Sequence, residues 1–163
     1  MRKFLVLFAL LGAPAFAQGV EVPFGGLKQD PSLPVEVNAS ELSIDQSDNS
    51  ATFSGGVTVT QGEVKLTADK IRVVYAAAVE GQPAKIAKLE ASGGVTLVSG
   101  EATATAETGE YDINTGNVLL TGGISLIQGP TSVSGDRMTV NLTSGTGRIE
   151  GNVKTVLTPT QNP

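Results

Sequence analysis

The sequence predicts an all-β domain made of about four related repeats. Two observations support this fold class. Val, Ile, Leu, Ala and Thr are abundant whereas only 4% of the residues are aromatic, and a glycine pair followed by an alternating strand recurs along the chain. β-Branched residues favour strands, and a repeated unit buries its apolar face against its neighbours. We therefore expect facing sheets, and no convincing helix beyond the N-terminal segment.

The N-terminal segment, residues 1–17, has the layout of a secretory signal peptide. Met1-Arg2-Lys3 is positively charged, an apolar run extends from Phe4 to Leu11, and Ala15-Phe16-Ala17 is a small-x-small cleavage site. The apolar run is shorter than the roughly 20 residues of a membrane-spanning helix, so we predict cleavage after Ala17 and export. A retained N-terminal anchor is the alternative. Residues 18–34, which contain several prolines and glycines, are expected to form a flexible leader.

The repeat consists of two motifs with the same spacing. The first is a glycine pair before a strand, as in Phe53-Ser54-Gly55-Gly56-Val57-Thr58-Val59, and its leading glycines are Gly55, Gly93, Gly122 and Gly151. The second is a small residue, a polar pair and an apolar position: Ala39-Ser40-Glu41-Leu42, Ala68-Asp69-Lys70-Ile71, Ala106-Glu107-Thr108-Gly109 and Gly135-Asp136-Arg137-Met138. Both series follow a 29-residue period with one nine-residue insertion, which places the insertion at residues 76–85.

Alternation within the repeats predicts strands that bend. Val57 and Val59 alternate with threonines, which is typical of a sheet wetted on one face. Between Ala68 and Ile71 the apolar positions are three apart, so a bulge or bend is needed, and each glycine pair provides a second corner. Strands that bend regularly can step between two sheets, so we expect a twisted sandwich or jelly roll over residues 35–157, followed by a short tail at 158–163.

Several stretches of the repeats resemble a known family. Thr52 to Gly62 with Leu66 to Tyr75, and Leu120-Thr121-Gly122-Gly123-Ile124 with Gln128-Gly129, are similar to the OstA-like domain of the LptA family of periplasmic lipopolysaccharide transport proteins. The resemblance covers roughly residues 35–157. It implies a V-shaped β-jellyroll of two sheets, open along one edge, whose apolar trough accepts the acyl chains of lipopolysaccharide. Asn152, which stands where the other repeats have Gly, and the insertion depart from the family pattern.

The resemblance also implies partners and a location. Members stack head to tail in the periplasm between an inner-membrane LptC-like protein and an outer-membrane LptD-like protein. Unpaired strand edges at residues 35–44 and 151–157 would allow such pairing by β-augmentation, whereas the alternative is a protected edge in a monomer. The implied function is transport of lipopolysaccharide for outer-membrane assembly. A structural or adhesive exported β-repeat protein without a lipid ligand is the alternative function.

Composition limits the other function classes. The chain contains no Cys, His or Trp and has a net charge of −5. Disulfides, zinc sites built from Cys or His, and catalytic dyads that use either residue are therefore excluded. An acidic chain without a basic stripe is a poor nucleic-acid binder. We predict a protein that is not an enzyme and that uses no cofactor or metal.

The predicted lipid-binding residues are the inward aliphatic and aromatic positions of the repeats. Ordinary sandwich core is the alternative role for each of them. They are Phe53, Val57, Val59, Ile71, Val73, Leu89, Val95, Leu97, Leu120, Ile124, Leu126, Met138 and Val140.

Two acidic groups are candidates for other chemistry. Glu107, Glu110 and Asp112 lie close enough in sequence for glycosidase chemistry by paired carboxylates, but a solvated edge is the favoured interpretation. Residues 45–49 are rich in oxygen donors, although their spacing fits no known calcium loop. We expect a turn there.

Overall fold

The computed structural model describes residues 20–23 and 33–158, and these residues form eleven strands and no helix. The all-β prediction is thereby confirmed. The predicted signal peptide and nearly all of the predicted tail lie outside the described residues. The strands are β1 (Val20–Pro23), β2 (Glu36–Asn38), β3 (Glu41–Asp45), β4 (Ser50–Gln61), β5 (Val64–Tyr75), β6 (Ile86–Ser99), β7 (Ala102–Asp112), β8 (Asn117–Gln128), β9 (Thr131–Asn141), β10 (Thr146–Glu150) and β11 (Lys154–Leu157).

All strand pairs are antiparallel, and most strands pair with their neighbours in sequence. The order is β1-β10-β9-β8-β7-β6-β5-β4-β2, with β3 also on β4 and β11 also on β9. Every pair from β4–β5 to β8–β9 has a register shift in its middle, for example between Ser54 and Val57. Each long strand therefore bends once and contributes to two layers. At each end of the sheet the strand is interrupted at the corner. Two short strands therefore take the place of one long strand, β2 with β3 at one end and β10 with β11 at the other.

The bends divide the sheet into two facing layers. The first layer contains β3, residues 50–54, 70–75, 86–92, 108–112, 117–121 and 137–141, β10 and β1. The second layer contains β2, residues 57–61, 64–67, 95–99, 102–105, 124–128 and 131–135, and β11. Buried side chains of both layers form one apolar core. This arrangement is the two-layer jellyroll that the sequence predicts.

The two sequence motifs meet at the corners of the bent strands. Gly55 has a φ of 81°, and a Cβ there would lie 2.7 Å from the Cβ of Ser40. The Ser40 hydroxyl donates a hydrogen bond of 2.7 Å to the Gly55 carbonyl oxygen. Only glycine combines this backbone conformation with so close an approach. The same pairing recurs at the other corners, where the leading glycine faces the first polar residue of the second motif: Gly93 with Asp69, Gly122 with Glu107, and Gly151 with Asp136.

Asn152 occupies the second corner position without breaking the pattern. Its φ is 48°, and the equivalent Gly56, Gly94 and Gly123 also have positive φ. Asparagine is the non-glycine residue that best tolerates this left-handed conformation. Its side-chain amide donates to Asp136 Oδ2 over 2.8 Å, so the fourth corner gains a hydrogen bond that a glycine could not make.

The insertion lies where the spacing predicts, between β5 and β6. Residues 76–85 form an exposed loop whose base is closed by a 2.8 Å hydrogen bond from the Ala76 N–H to the Lys85 carbonyl oxygen. The side-chain amide of Asn49 donates to the carbonyls of Tyr75 and Ala76, over 3.2 and 2.9 Å. The loop is therefore anchored to the turn between β3 and β4.

Candidate functional site

An apolar cavity of about 450 Å³ lies between the two layers. Three of its lining residues, Val35, Ile86 and Ile113, are themselves exposed. They stand at strand ends or before β2, so the cavity opens along the outer ends of the strands and at the β2 end. We call this cavity and its lining the trough. Its lining residues are Val35, Val37, Phe53, Val59, Gln61, Val64, Leu66, Ile71, Val73, Tyr75, Ile86, Leu89, Ala91, Leu97, Gly109, Glu110, Tyr111, Ile113, Val118, Leu120 and Leu142.

The structure divides the thirteen predicted lipid-binding residues into two groups. Seven line the trough: Phe53, Val59, Ile71, Val73, Leu89, Leu97 and Leu120. The other six are almost fully buried in the closed core and do not line it: Val57, Val95, Ile124, Leu126, Met138 and Val140. Trough and core are therefore continuous, and the closed part consists of Val57 and Val95, just past the glycine corners of β4 and β6, and of inward residues of β8 and β9.

The sizes of side chains across the first layer explain where the trough opens. Phe53, Ile71, Ala91, Gly109 and Leu120 are successive cross-strand partners from β4 to β8. The two small residues in the middle of this row leave space between the layers. Beyond Leu120 the row continues with large residues, Met138 and Ile149, which have no exposed surface. Close packing of these side chains ends the cavity.

Fourteen lining residues of the trough are absent from the predicted set, among them Val64, Leu66, Tyr75, Tyr111 and Leu142. Val64 and Leu66 carry a signal, because they alternate directly after the turn at Gly62 and pair with Gln61 and Val59. The tyrosines end β5 and lie near the end of β7. Partial burial raises the pKa of Tyr111, and Asp112 adds to this effect, so Tyr111 is uncharged at neutral pH.

The acidic residues at positions 107, 110 and 112 all have structural partners. The side chain of Glu107 lies at a corner against Gly122, Glu110 accepts from Lys88 Nζ over 3.1 Å, and Asp112 accepts from the backbone N–H groups of Asn114 and Thr115. Within the described segments no group of three or more His, Cys, Asp or Glu residues is placed to hold a metal ion. The same segments contain no helix that could cross a membrane.

Residues 46–49 form the expected turn directly after β3, and it contacts a charged ladder on the outer face that consists of Asp48, Arg72 and Glu90. Asp48 Oδ2 lies 2.7 Å from an Arg72 nitrogen, and Arg72 also donates to Glu90 over 3.0 Å. The hydrogen bond from Ser50 contributes most to lowering the pKa of Asp48, and Arg72 lowers it further. Asp48 therefore links this turn to β5 through Arg72.

The free edges of the fold carry exposed apolar side chains. Leu42 and Ile44 on β3 are 52% and 70% exposed, and Val156 and Leu157 on β11 are 45% and 72% exposed. Leu42 and Ile44 pair with Phe53 and Ala51, so they continue the inward rows of the first layer past its last covered strand. Edges with such side chains are open to pairing with another strand.

Comparison with known proteins decides the family. Residues 36–146, more than half of the chain, match the family model described as LptA/(LptD N-terminal domain) LPS transport protein. The chain belongs to this family. An LptA-family fold is also seen in the crystal structure of LptH, the LptA-homologous periplasmic component of the lipopolysaccharide transport device of Pseudomonas aeruginosa. That structure aligns with a TM-score of 0.68 at 17% identity, covering 80% of this chain and 99% of LptH.

Relatives of this LptA-family chain include proteins of two further bacteria. An uncharacterized protein of Rhizobium meliloti, R00383, is 30% identical over 115 residues, which are 69% of this chain and 62% of that protein. Lipopolysaccharide export system protein LptA of Escherichia coli K12 is 33% identical over 61 residues, 37% of this chain and 33% of that protein. The matched segments thus span less than two thirds of either relative. Together these matches confirm the family resemblance carried by the residues of the repeats.

Proposed function

We propose that this chain is an exported periplasmic carrier of lipopolysaccharide whose trough shields the acyl chains while the sugars stay in water. The observation that carries the proposal is the apolar cavity of about 450 Å³ with an open mouth. Cavities of roughly 300–1,000 Å³ are typical of small-molecule sites. Membership of a lipopolysaccharide transport family supports the same ligand, and the predicted signal peptide supports export.

The energy of hydrocarbon in water explains why a carrier is needed. An acyl chain of about a dozen carbons costs roughly 10 kcal/mol to expose, at about 0.8 kcal/mol per methylene. Side chains such as Phe53, Val59 and Leu66 replace water with apolar contact along the trough. They also present no polar group that would need a hydrogen-bond partner. The seven predicted lipid-binding residues that line the trough support this role.

We further propose that copies of the chain join head to tail between an LptC-like protein of the inner membrane and an LptD-like protein of the outer membrane. The exposed apolar edges at β3 and β11 support this assembly. A strand added to an open edge makes backbone hydrogen bonds and places alternate side chains on the inward face. Such a joint would continue the two layers from one copy to the next.

Site-specific photo-crosslinking in cells tests the carrier function. A crosslinking residue at Val59 lies in the trough, whereas one at Thr58 lies on the opposite face of the same strand, because neighbouring residues of a strand alternate. We expect a lipopolysaccharide adduct from Val59 and none from Thr58. A folded protein that gives no adduct at Val59, or equal adducts at both positions, would favour the structural or adhesive alternative.

A further inference from the structure

Strand β1 closes an edge that the rest of the fold would leave open. Its four residues pair antiparallel with β10, from Val20 opposite Ile149 to Pro23 opposite Thr146. The other side of β10 pairs with β9. The last strand of the first layer at this end therefore comes from the N-terminal part of the chain, within the predicted leader. The sequence pattern did not indicate a strand here.

β1 has the same register and direction at one edge of the first layer as β3 has at the opposite edge. Followed from partner to partner across the first layer, the row that contains Val20 ends at Leu42 of β3, and the row that contains Val22 ends at Ile44. All the steps between β1 and β3 are antiparallel and their number is even, so the two strands run in the same direction. Val20-Glu21-Val22 thus repeats the apolar-polar-apolar order of Leu42-Ser43-Ile44 at matching register positions.

We infer that β10 is the acceptor edge for β3 of a second copy and that β1 occupies this edge within one chain. A second copy that extends the first layer would place Leu42 opposite Ile149 and Ile44 opposite Gly147. These are the partners that Val20 and Val22 already have. One edge can hold only one strand, so β1 competes with assembly. This inference rests on the proposed head-to-tail joining.

Two features of the chain fit a strand that caps the edge and can be displaced. Pro23 ends β1 and has no backbone N–H, and prolines at edge strands are a common protection against further pairing. In the second layer, β11 pairs with β9 alone, and its residues are exposed. A second copy can therefore pair first with β11 and then replace β1 on β10.

Two variants of the full chain test the inference. Val20→Asp/Val22→Asp removes the apolar residues of β1 and should release the edge. Glu21→Cys/Arg148→Cys joins paired residues of β1 and β10 in a chain that has no other cysteine. Glu21→Ser/Arg148→Ser is the matched control. If β1 covers the edge in about nine of ten chains, release lowers the apparent dissociation constant of self-association about tenfold.

Analytical ultracentrifugation and non-reducing gels give the readouts. We expect tighter association of the release variant, an intramolecular disulfide that keeps the cysteine variant monomeric, and recovery of association on reduction. Unchanged or weaker association after release, or a disulfide that forms only between chains, would overturn the cap. The lipopolysaccharide adduct at Val59 distinguishes failure of the cap from failure of the carrier function. If the adduct forms although release of β1 does not tighten association, only the cap is rejected. If no adduct forms in a chain with an unchanged β1, the carrier function is rejected.

Discussion

Gly109 lies directly opposite Leu120 in the sheet, and a Cβ atom on Gly109 would come within 3.0 Å of Leu120 Cδ2. The φ of Gly109 is not positive, so the space around it, and not the backbone conformation, favours glycine here. Gly109 lines the trough together with Leu120. The absence of one side chain at this position therefore contributes directly to the opening between the layers.

Filling this position should close part of the trough. We expect Gly109→Leu to weaken binding of a fluorescent acyl probe about tenfold. The added side chain would displace about two methylenes of the ligand from the trough, a contact worth roughly 1.6 kcal/mol. Fluorescence titration measures the change. Thr103→Leu, on the same strand but between the buried Ala102 and Ala104, is the control and should bind normally. Equal binding by the two variants would remove Gly109 from the trough.

The two glycines of one corner should respond differently to substitution. Gly93→Ala places a Cβ 2.5 Å from that of Asp69 at a φ of 82°, so we expect a loss of about 1–3 kcal/mol in the free energy of unfolding. Gly94→Asn meets nothing within 4 Å and copies the situation of Asn152, so its cost should stay below about 1 kcal/mol. Urea unfolding of both variants checks this, and equal losses would contradict the assignment.

The charged ladder predicts a loss of stability in acid. The pKa of Asp48 is lowered from 3.8 in the folded protein, first by Ser50 and then by Arg72. A lowered folded pKa stabilises the protein above the unfolded pKa, and this contribution disappears as the pH falls through the folded value. Asp48→Asn should therefore show a smaller fall in Tm than the wild type when the pH drops below about 4. Parallel curves for the two proteins would argue against the ladder.

The exposed edge of β3 should matter for association and not for folding. Leu42→Glu/Ile44→Glu changes two side chains that are more than half exposed, so the free energy of unfolding should change by no more than about 0.5 kcal/mol per residue. Self-association should fall, because charged residues on an edge oppose strand addition. Sedimentation equilibrium measures this effect, with Val79→Glu in the exposed insertion loop as the control. Association that survives the double change would place the joint elsewhere.

The corners of the fold could be predicted from sequence because their requirements are local. Gly55 must adopt a positive φ beside Ser40. Because the same requirement recurs at each corner, the chain carries two motifs with the same spacing. The same spacing located the insertion at residues 76–85. Bends, layers and repeat number all follow from these few positions.

The extent of the trough could not be predicted in the same way. Period-two alternation identifies inward positions but gives no measure of the space between the layers. That space depends on small residues such as Ala91 and Gly109 meeting larger ones across strands, so Val57 and Met138 shared the pattern of Phe53 yet lie in the closed core. Strand β1 was missed because its partner, β10, is more than a hundred residues away in sequence.

The close packing around Met138, Val140 and Ile149, none of which has exposed surface, makes the trough a dead-end cavity within one chain. A hydrocarbon tail lying beside Gly109 would meet these side chains toward β9 and could not continue through them. In the proposed row of copies, the cargo would therefore leave one trough through its open mouth and enter the mouth of the next, instead of passing along a shared tunnel.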